Sequence, residues 1–220
     1  MEDVSLVRYS PETSDLMRTA QLIECYRDVF ADEPWHEWLK CAHCDKYWGV
    51  KDKALLASWQ YQHCGGPLVD FWPRENVLAD LHHEITESAL CSLALAGERV
   101  VGFCWGYPME IGALEKKVGL IFGGTLEVRF GTHERVGYQD EVGVLSAYRG
   151  KKIARVMNKD RILAFEKSGL KIAISRVRRS PEPSVTFLWY TGKLGYDVLA
   201  EYPDGRVILG RHIKGLVDLL

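Results

Sequence analysis

A chain of 220 residues, 47% hydrophobic and 26% charged, is long enough for one large domain and apolar enough to bury a core. Its net charge of −2 excludes a uniformly basic nucleic-acid coat, and nowhere does an apolar run reach the ~18 residues that would suggest a membrane-crossing helix. The start, Met1-Glu2-Asp3-Val4, lacks the basic and apolar regions of a signal peptide, so the expected compartment is the cytoplasm. Six cysteines at uneven spacing then read as thiols or metal ligands rather than a disulfide framework.

Val4 to Tyr9 alternates and predicts an edge strand; Asp15 to Phe30 repeats apolar residues at helical spacing. Between Trp35 and Trp72 lie five of the seven tryptophans and three of the six cysteines. Asn76 to Glu87 predicts a helix with Asn76 as its cap, and two apolar strands around Gly97-Glu98 predict a hairpin. Met109 to Lys117 suggests a short helix, and Gly119 to Gly131 has no assignable pattern. Tyr138 to Leu145 is a strand, Lys151 to Lys167 a helix, and "LKIAISRV" the next strand. Pro181 to Leu194 holds another helix, and a last hairpin turns at Pro203-Asp204-Gly205. The order predicts one mixed α/β sheet in a single domain, 1–220, with an insert at about 34–75.

Charge is unevenly spread. From Arg149 to Arg179 there are eleven Lys or Arg against two acids, a local +9, which leaves −11 for the remainder. Positive side chains at a helix start oppose the macrodipole, so Arg149-Gly150-Lys151-Lys152 reads as an end prepared for an anion. A solvated helix face is the competing reading.

Strand, basic Gly-containing turn and helix in that order resemble the GNAT superfamily of acetyl-CoA-dependent N-acetyltransferases. The family's signature is [R/Q]-x-x-G-x-[G/A]; Arg149 and Ala154 match its outer positions, and Lys152 stands at the usual Gly. Downstream, "SVTFLWYTGKLGYDVL" is similar to N-x-x-A-x-x-x-Y-x-K-L-G-F: Lys193-Leu194-Gly195-Tyr196 matches, Ser184 replaces the Asn, and Thr191 stands at the Tyr with Tyr190 one place away. The resemblance covers Val4 to about Ile213 outside the insert. It implies a GNAT-like fold, with a central mixed twisted sheet flanked by helices, and transfer of an acetyl group from acetyl-CoA to a primary amine in a ternary complex. It implies that Val144 and Leu145 serve the pantetheine arm, one of them giving an amide to the thioester carbonyl. Arg149, Gly150, Lys151, Lys152, Ile153 and Ala154 would hold the pyrophosphate, with Lys151, Arg155 or Arg178-Arg179 meeting further phosphate oxygens. The glutamate position of histone-type members is Tyr138 here. A catalytically weak acyl-CoA sensor is the alternative function.

Amine attack needs a proton acceptor and the thiolate needs a donor. Asp140 and Glu141 are the acids on the strand, pointing to opposite faces, and Glu141 is the preferred base; a solvent-facing or cross-strand charge pair is the structural alternative. Tyr190 is the candidate acid, with a core tyrosine as its alternative. Gly143 within the strand suggests a bulge or a close backbone approach.

In the insert, Cys41-Ala42-His43-Cys44 and, after nineteen residues, Cys64 resemble one full and one degraded zinc knuckle, with Tyr61 where the second pair would have its other Cys. A structural zinc held by Cys41, Cys44, His63 and Cys64 is expected, with His43 and His36 as the other histidine options; aromatic packing without metal is the alternative. Cys25, Cys91 and Cys104 lie in apolar stretches and read as inert core thiols. If the resemblance holds, the insert borders the acceptor pocket and sets substrate choice, a small-molecule or protein amine; clustered tryptophans as a partner-binding surface are the other use. Its basic and acidic residues balance, which argues against nucleic acid.

Overall fold

Asp15 accepts the amide of Arg18 at 2.6 Å, closing the first turn of α1 (Leu16–Ala31), the helix that the apolar spacing predicts. The computed structural model describes residues 4–220. The edge strand β1 (Val4–Arg8) precedes α1, and β2 (Leu39–Cys41) and β3 (Tyr47–Trp48) follow it. Next come α2 (Lys53–Ser58), β4 (Gln62–His63), β5 (Gly66–Asp70) and α3 (Arg74–Glu84). The expected cap at Asn76 is corrected: its amide already donates to the Pro73 carbonyl at 3.0 Å inside the first turn. Pro73, with φ of −57°, is preset for a helix start and moves it upstream.

The hairpin of β6 (Leu90–Ala96) and β7 (Arg99–Glu110) forms as predicted, followed by α4 (Ile111–Val118). The unassigned glycine-rich stretch contains α5 (Gly123–Phe130), whose first amides are capped from a distance: Glu115 Oε1 accepts from Phe122 and Gly123 at 2.7 and 2.6 Å. A partner seven and eight residues away leaves no local signature. Then come β8 (Arg135–Val144), α6 (Ile153–Lys167), β9 (Ile172–Arg178), α7 (Val185–Gly192), β10 (Asp197–Glu201), β11 (Arg206–His212) and α8 (Leu216–Leu219).

Seven strands form one mixed sheet in the order β1-β6-β7-β8-β9-β11-β10. The small strands form a second, β3-β2-β5-β4. Chain contacts divide into two compact units. One holds the described residues up to Thr86 with Leu93–Phe103 and Gly143–Ile153; the other holds Glu87–Ser92, Cys104–Val142 and Ala154–Leu220.

In the first unit, Tyr26 and Phe30 of α1 meet Phe103, Trp35 and Trp72 at ring distances of 5.4 to 6.5 Å, so both ends of the insert dock on one helix. Arg27 adds a 2.6 Å pair with Asp70 and a bond to the Trp72 carbonyl. Within the insert the buried apolar set is Cys41, Trp48 and Leu56 alone, with Trp38, Leu39 and Leu68 packed against it. In the second unit, β9 and β11 run antiparallel over seven paired positions, and α6 and α7 contribute Ile162, Phe165 and Tyr190 to the main core there.

Candidate functional site

The parallel pairing of β8 with β9 covers Gly137–Ala173, Tyr138–Ile174 and Gln139–Ser175. Beyond Gln139 the two strands part among the described residues, although β8 continues to Val144 and β9 to Arg178. Backbone N–H and C=O groups on such an open edge need partners, and an extended amide-bearing ligand can stand in for a strand.

The helix expected from Lys151 begins at Ile153, because Lys152, the residue directly before it, is left-handed. Gly150 has φ of +78° and Lys152 of +65°. Left-handed residues are the kind from which anion-binding nests of backbone amides are built, and here one stands on either side of Lys151; Ile153 and Ala154 then open α6, and the first N–H groups of a helix have no intrahelical partner. Lys152 thus occupies a conformation that favours glycine, the residue the resembling motif has there. The Lys151 ammonium lies 4.5 Å over the Tyr148 ring.

Two groups expected to meet the coenzyme have partners within the chain. The Arg149 side chain folds back onto its own unit: Nε donates to the Val144 carbonyl at 3.1 Å, a terminal nitrogen donates to the Glu33 carbonyl at 2.9 Å, and Asp32 is 3.9 Å away. It braces the turn instead of reaching for an anion. The Leu145 amide donates to the Val101 carbonyl at 3.0 Å, so it is used within the sheet, just as the Val144 carbonyl is taken by Arg149. The basic run is also no single patch. Arg155 donates to the Leu220 and Leu219 carbonyls at 2.7 and 3.4 Å, and Arg179 pairs with Glu201. These partners satisfy the two arginines without phosphate.

Gly143 does mark a close approach, of the Phe103 ring, which fills the place of a side chain there.

Beneath β8 lies a buried polar cluster that sequence reasoning missed. Arg161 of α6, 2% exposed, donates to the carbonyls of Trp105 and Glu141 at 2.6 and 3.0 Å. Its other terminal nitrogen reaches Asn158 Oδ1 at 2.5 Å, Gln139 Oε1 at 3.2 Å and the Tyr190 hydroxyl at 3.3 Å. Its Nε is the one buried side-chain polar atom without a hydrogen-bond partner among the described residues. A guanidinium stays charged at any accessible pH, and no carboxylate takes part in these bonds. A Cβ on Gly106 would run first into the Tyr138 carbonyl and then lie 3.0 Å from Arg161 Cδ, so the glycine makes room for the neighbouring strand as well as for the arginine. Asn158, Arg161 and Phe165 share one helical stripe, a polar pair on an otherwise apolar face, and that was the available signal.

Tyr190, 1% exposed, donates to Asn158 Oδ1 at 2.8 Å and stacks on Tyr196 at 4.7 Å. Burial pushes its phenol up to about 12, with Arg161 opposing. Ser184 caps α7 by accepting from Phe187 at 3.1 Å, as expected. Thr191, at the motif's tyrosine position, donates to the Phe187 carbonyl at 2.8 Å instead. Of the two acids, Asp140 is held in a cluster: the Tyr107 hydroxyl donates to it, and Lys117 lies 3.4 Å away. Tyr138 is buried beside it, its phenol raised well above the ordinary value by burial and by the Asp140 charge. Glu141 is half-buried, its carbonyl held by Arg161.

In the insert, the ligand atoms of Cys41, Cys44, His63 and Cys64 all lie within 4.8 Å of one another. The other histidines are placed elsewhere: the His43 ring packs against Gly66, and His36 Nε2 is 3.1 Å from Lys51.

By sequence the chain matches no family model and no curated protein. By structure it matches the PaiA N-acetyltransferase of Thermoplasma acidophilum in complex with coenzyme A, with a TM-score of 0.54 at 15% identity over 96% of this chain and 99% of that one. It also matches an acetyltransferase assigned to the GNAT family from Desulfovibrio desulfuricans, with a TM-score of 0.53 at 9% identity over 96% and 99%. The fold is that of the GNAT acetyltransferases. NAA60 of Arabidopsis thaliana in complex with acetyl-CoA gives a TM-score of 0.53 at 10% identity over 97% and 100% of the two chains. Within this GNAT fold, the parting of β8 and β9 and the left-handed turn before α6 occur along one continuous stretch of chain. No helix among the described residues is long and apolar enough to cross a membrane.

Proposed function

We propose that this chain is an N-acetyltransferase that moves an acetyl group from acetyl-CoA to a primary amine by direct attack in a ternary complex. One observation carries the reading: the open edge of β8 runs directly into a turn with left-handed Gly150 and Lys152 at the start of α6. An extended ligand with amides at one end and a pyrophosphate at the other suits that sequence of features, and coenzyme A has that order. The amides of the pantetheine arm would pair with β8 up to Val144. The pyrophosphate would meet the backbone of 150–154 and the ammonium groups of Lys151 and Lys152.

The amine nitrogen attacks the thioester carbonyl, the C–S bond breaks, and coenzyme A leaves as a thiolate that must gain a proton. Glu141 accepts the proton of the attacking amine, directly or through water. Tyr190, the acid expected from the sequence, is buried with its hydroxyl donated to Asn158, so in this reading the leaving thiolate takes its proton from water. The insert, whose two ends dock on α1, would border the acceptor side and select among small-molecule and protein amines.

The test is acetyl-CoA binding by calorimetry on the unmodified protein and on Lys152→Glu, followed by thiol release with an amine panel. Lys152→Glu reverses a charge at the nest while leaving the Arg149 brace intact. Binding that this reversal weakens at least ~10-fold, with amine-dependent thiol release, supports the reading. Glu141→Gln is then expected to lower turnover by ~10²-fold or more with acetyl-CoA binding retained. Absence of binding by the unmodified protein overturns the reading; binding without turnover for any amine leaves the acyl-CoA sensor.

A further inference from the structure

We infer that Cys41, Cys44, His63 and Cys64 form a closed, structural zinc site that holds the insert together, independently of any acyl transfer. The backbone brings the four ligands to one end of the small sheet. Cys41 ends β2, whose pairing with β5 runs Leu39–Asp70, Lys40–Val69 and Cys41–Leu68. The turn after β2 carries Cys44, and the turn between β4 and β5 carries Cys64, with His63 opposite Gly66 in the β4–β5 pairing. Two neighbouring turns thus point their ligands at a common centre.

The distances suit one tetrahedral ion. Cys41 Sγ lies 3.3 Å from Cys64 Sγ, and Cys44 Sγ lies 3.5 Å from His63 Nδ1. Bonds of about 2.3 Å to sulfur and 2.0 Å to nitrogen put tetrahedral ligand atoms ~3.5–3.8 Å apart, close to what is seen. The surroundings fit as well. The His43 amide points at Cys41 Sγ from 3.4 Å, the kind of donor a thiolate accepts, and the Trp48 ring meets the His63 ring edge-on at 5.0 Å and fixes its tilt. Three thiolates and one imidazole select zinc over hard oxygen-seeking cations, and four protein ligands leave no open position, so the role is structural.

Two further features ask for such a staple. Asp45 and Cys64, both bearing side chains, sit at left-handed φ of +57° and +42° in the two ligand turns. Cys64 takes this conformation directly after His63, and it is how two consecutive residues present both ligands to one point. The strain is held in a module whose buried apolar set is three residues, too little to stabilise it alone.

Metal analysis of the purified full chain tests this, with cobalt as the spectroscopic substitute. One zinc per chain is expected, and cobalt is expected to give the intense visible bands and thiolate charge-transfer absorption of a tetrahedral sulfur-rich site. Cys44→Ser and His63→Ala should each lose at least ~10-fold in metal affinity. His63→Cys should retain the metal and shift the cobalt spectrum toward four sulfurs, which separates ligation from simple misfolding. Coenzyme binding need not be present for any of these readouts, so failure of the acetyltransferase reading would leave them standing. A full-chain protein that carries no zinc, shows no cobalt bands and has all three insert thiols open to a thiol reagent overturns the site. So does an intact mass showing a Cys41–Cys64 disulfide in the protein as isolated, or an iron–sulfur absorption in place of zinc.

Discussion

The guanidinium of Arg161 lies 3.3 Å from the hydroxyl oxygen of Tyr190, and both groups are buried with Asn158 and Gln139 under β8. This pair has two opposite effects on stability. Burying the guanidinium is costly, while its charge-assisted bonds to two carbonyls and two amide oxygens contribute about 1.5–3 kcal/mol each. Several satisfied acceptors outweigh one orphaned Nε. Arg161→Met is therefore expected to destabilise the protein by about 2–4 kcal/mol in denaturant unfolding, and Tyr190→Phe by about 1–2 kcal/mol. In a double-mutant cycle the two should couple by ~0.5 kcal/mol or more; strict additivity would show that the contact carries no energy.

Lys152 at φ of +65° bears strain that a glycine would not. Lys152→Gly is expected to gain about 1 kcal/mol of stability, a rise of roughly 2–4 °C in melting temperature for a chain of this size. The same change removes a positive charge from the turn. Acetyl-CoA binding should weaken only a few-fold, because the backbone amides stay in place. A fall in melting temperature would mean that the left-handed turn is misassigned.

Gly143 has the Phe103 ring where its Cβ would be. Overpacking of this kind costs about 1–3 kcal/mol, so Gly143→Ala should unfold at lower denaturant. Combining it with Phe103→Leu should recover part of the loss, measurable as a favourable interaction energy between the two sites. If the pair only adds, the ring is not what excludes the methyl group.

Alkaline stability follows from the buried phenols. Tyr190 is pushed up from 10 to about 12 in the folded chain, so the unfolded chain releases this proton first as pH rises. The unfolded state then binds fewer protons, and stability falls with pH. The contribution is fully present below pH 10 and lost between 10 and 12, about 3 kcal/mol if the whole shift is realised. Tyr196, raised by burial and by Tyr190, continues the same trend. Urea unfolding at pH 9 and at pH 11 checks this: the unmodified protein should lose more stability over that interval than Tyr190→Phe.

Local chemistry made much of the fold legible. The Asp15 and Ser184 caps, the alternation of β1 and the last hairpin each rest on contacts within a few residues, and a single sequence records such contacts. That position 152 departs from the glycine of the resembling motif was visible, whereas its left-handed backbone was not. Cys41, Cys44, His63 and Cys64 could be named from the sequence, with His43 and His36 as the other histidine options, but what brings His63 rather than those two to the cysteines could not be read there. It depends on β4 pairing with β5 and on the His43 ring packing against Gly66, contacts more than twenty residues apart for the ring. Composition showed eleven basic residues between Arg149 and Arg179 but not their destinations. Arg149 braces Val144 and Glu33, Arg155 holds the last carbonyls, Arg179 meets Glu201, and Arg161 turns inward. A formal charge is a property of a residue, whereas an anion site is a property of what surrounds it. Which cations still face solvent was therefore settled only when strands and helices distant in the chain came together.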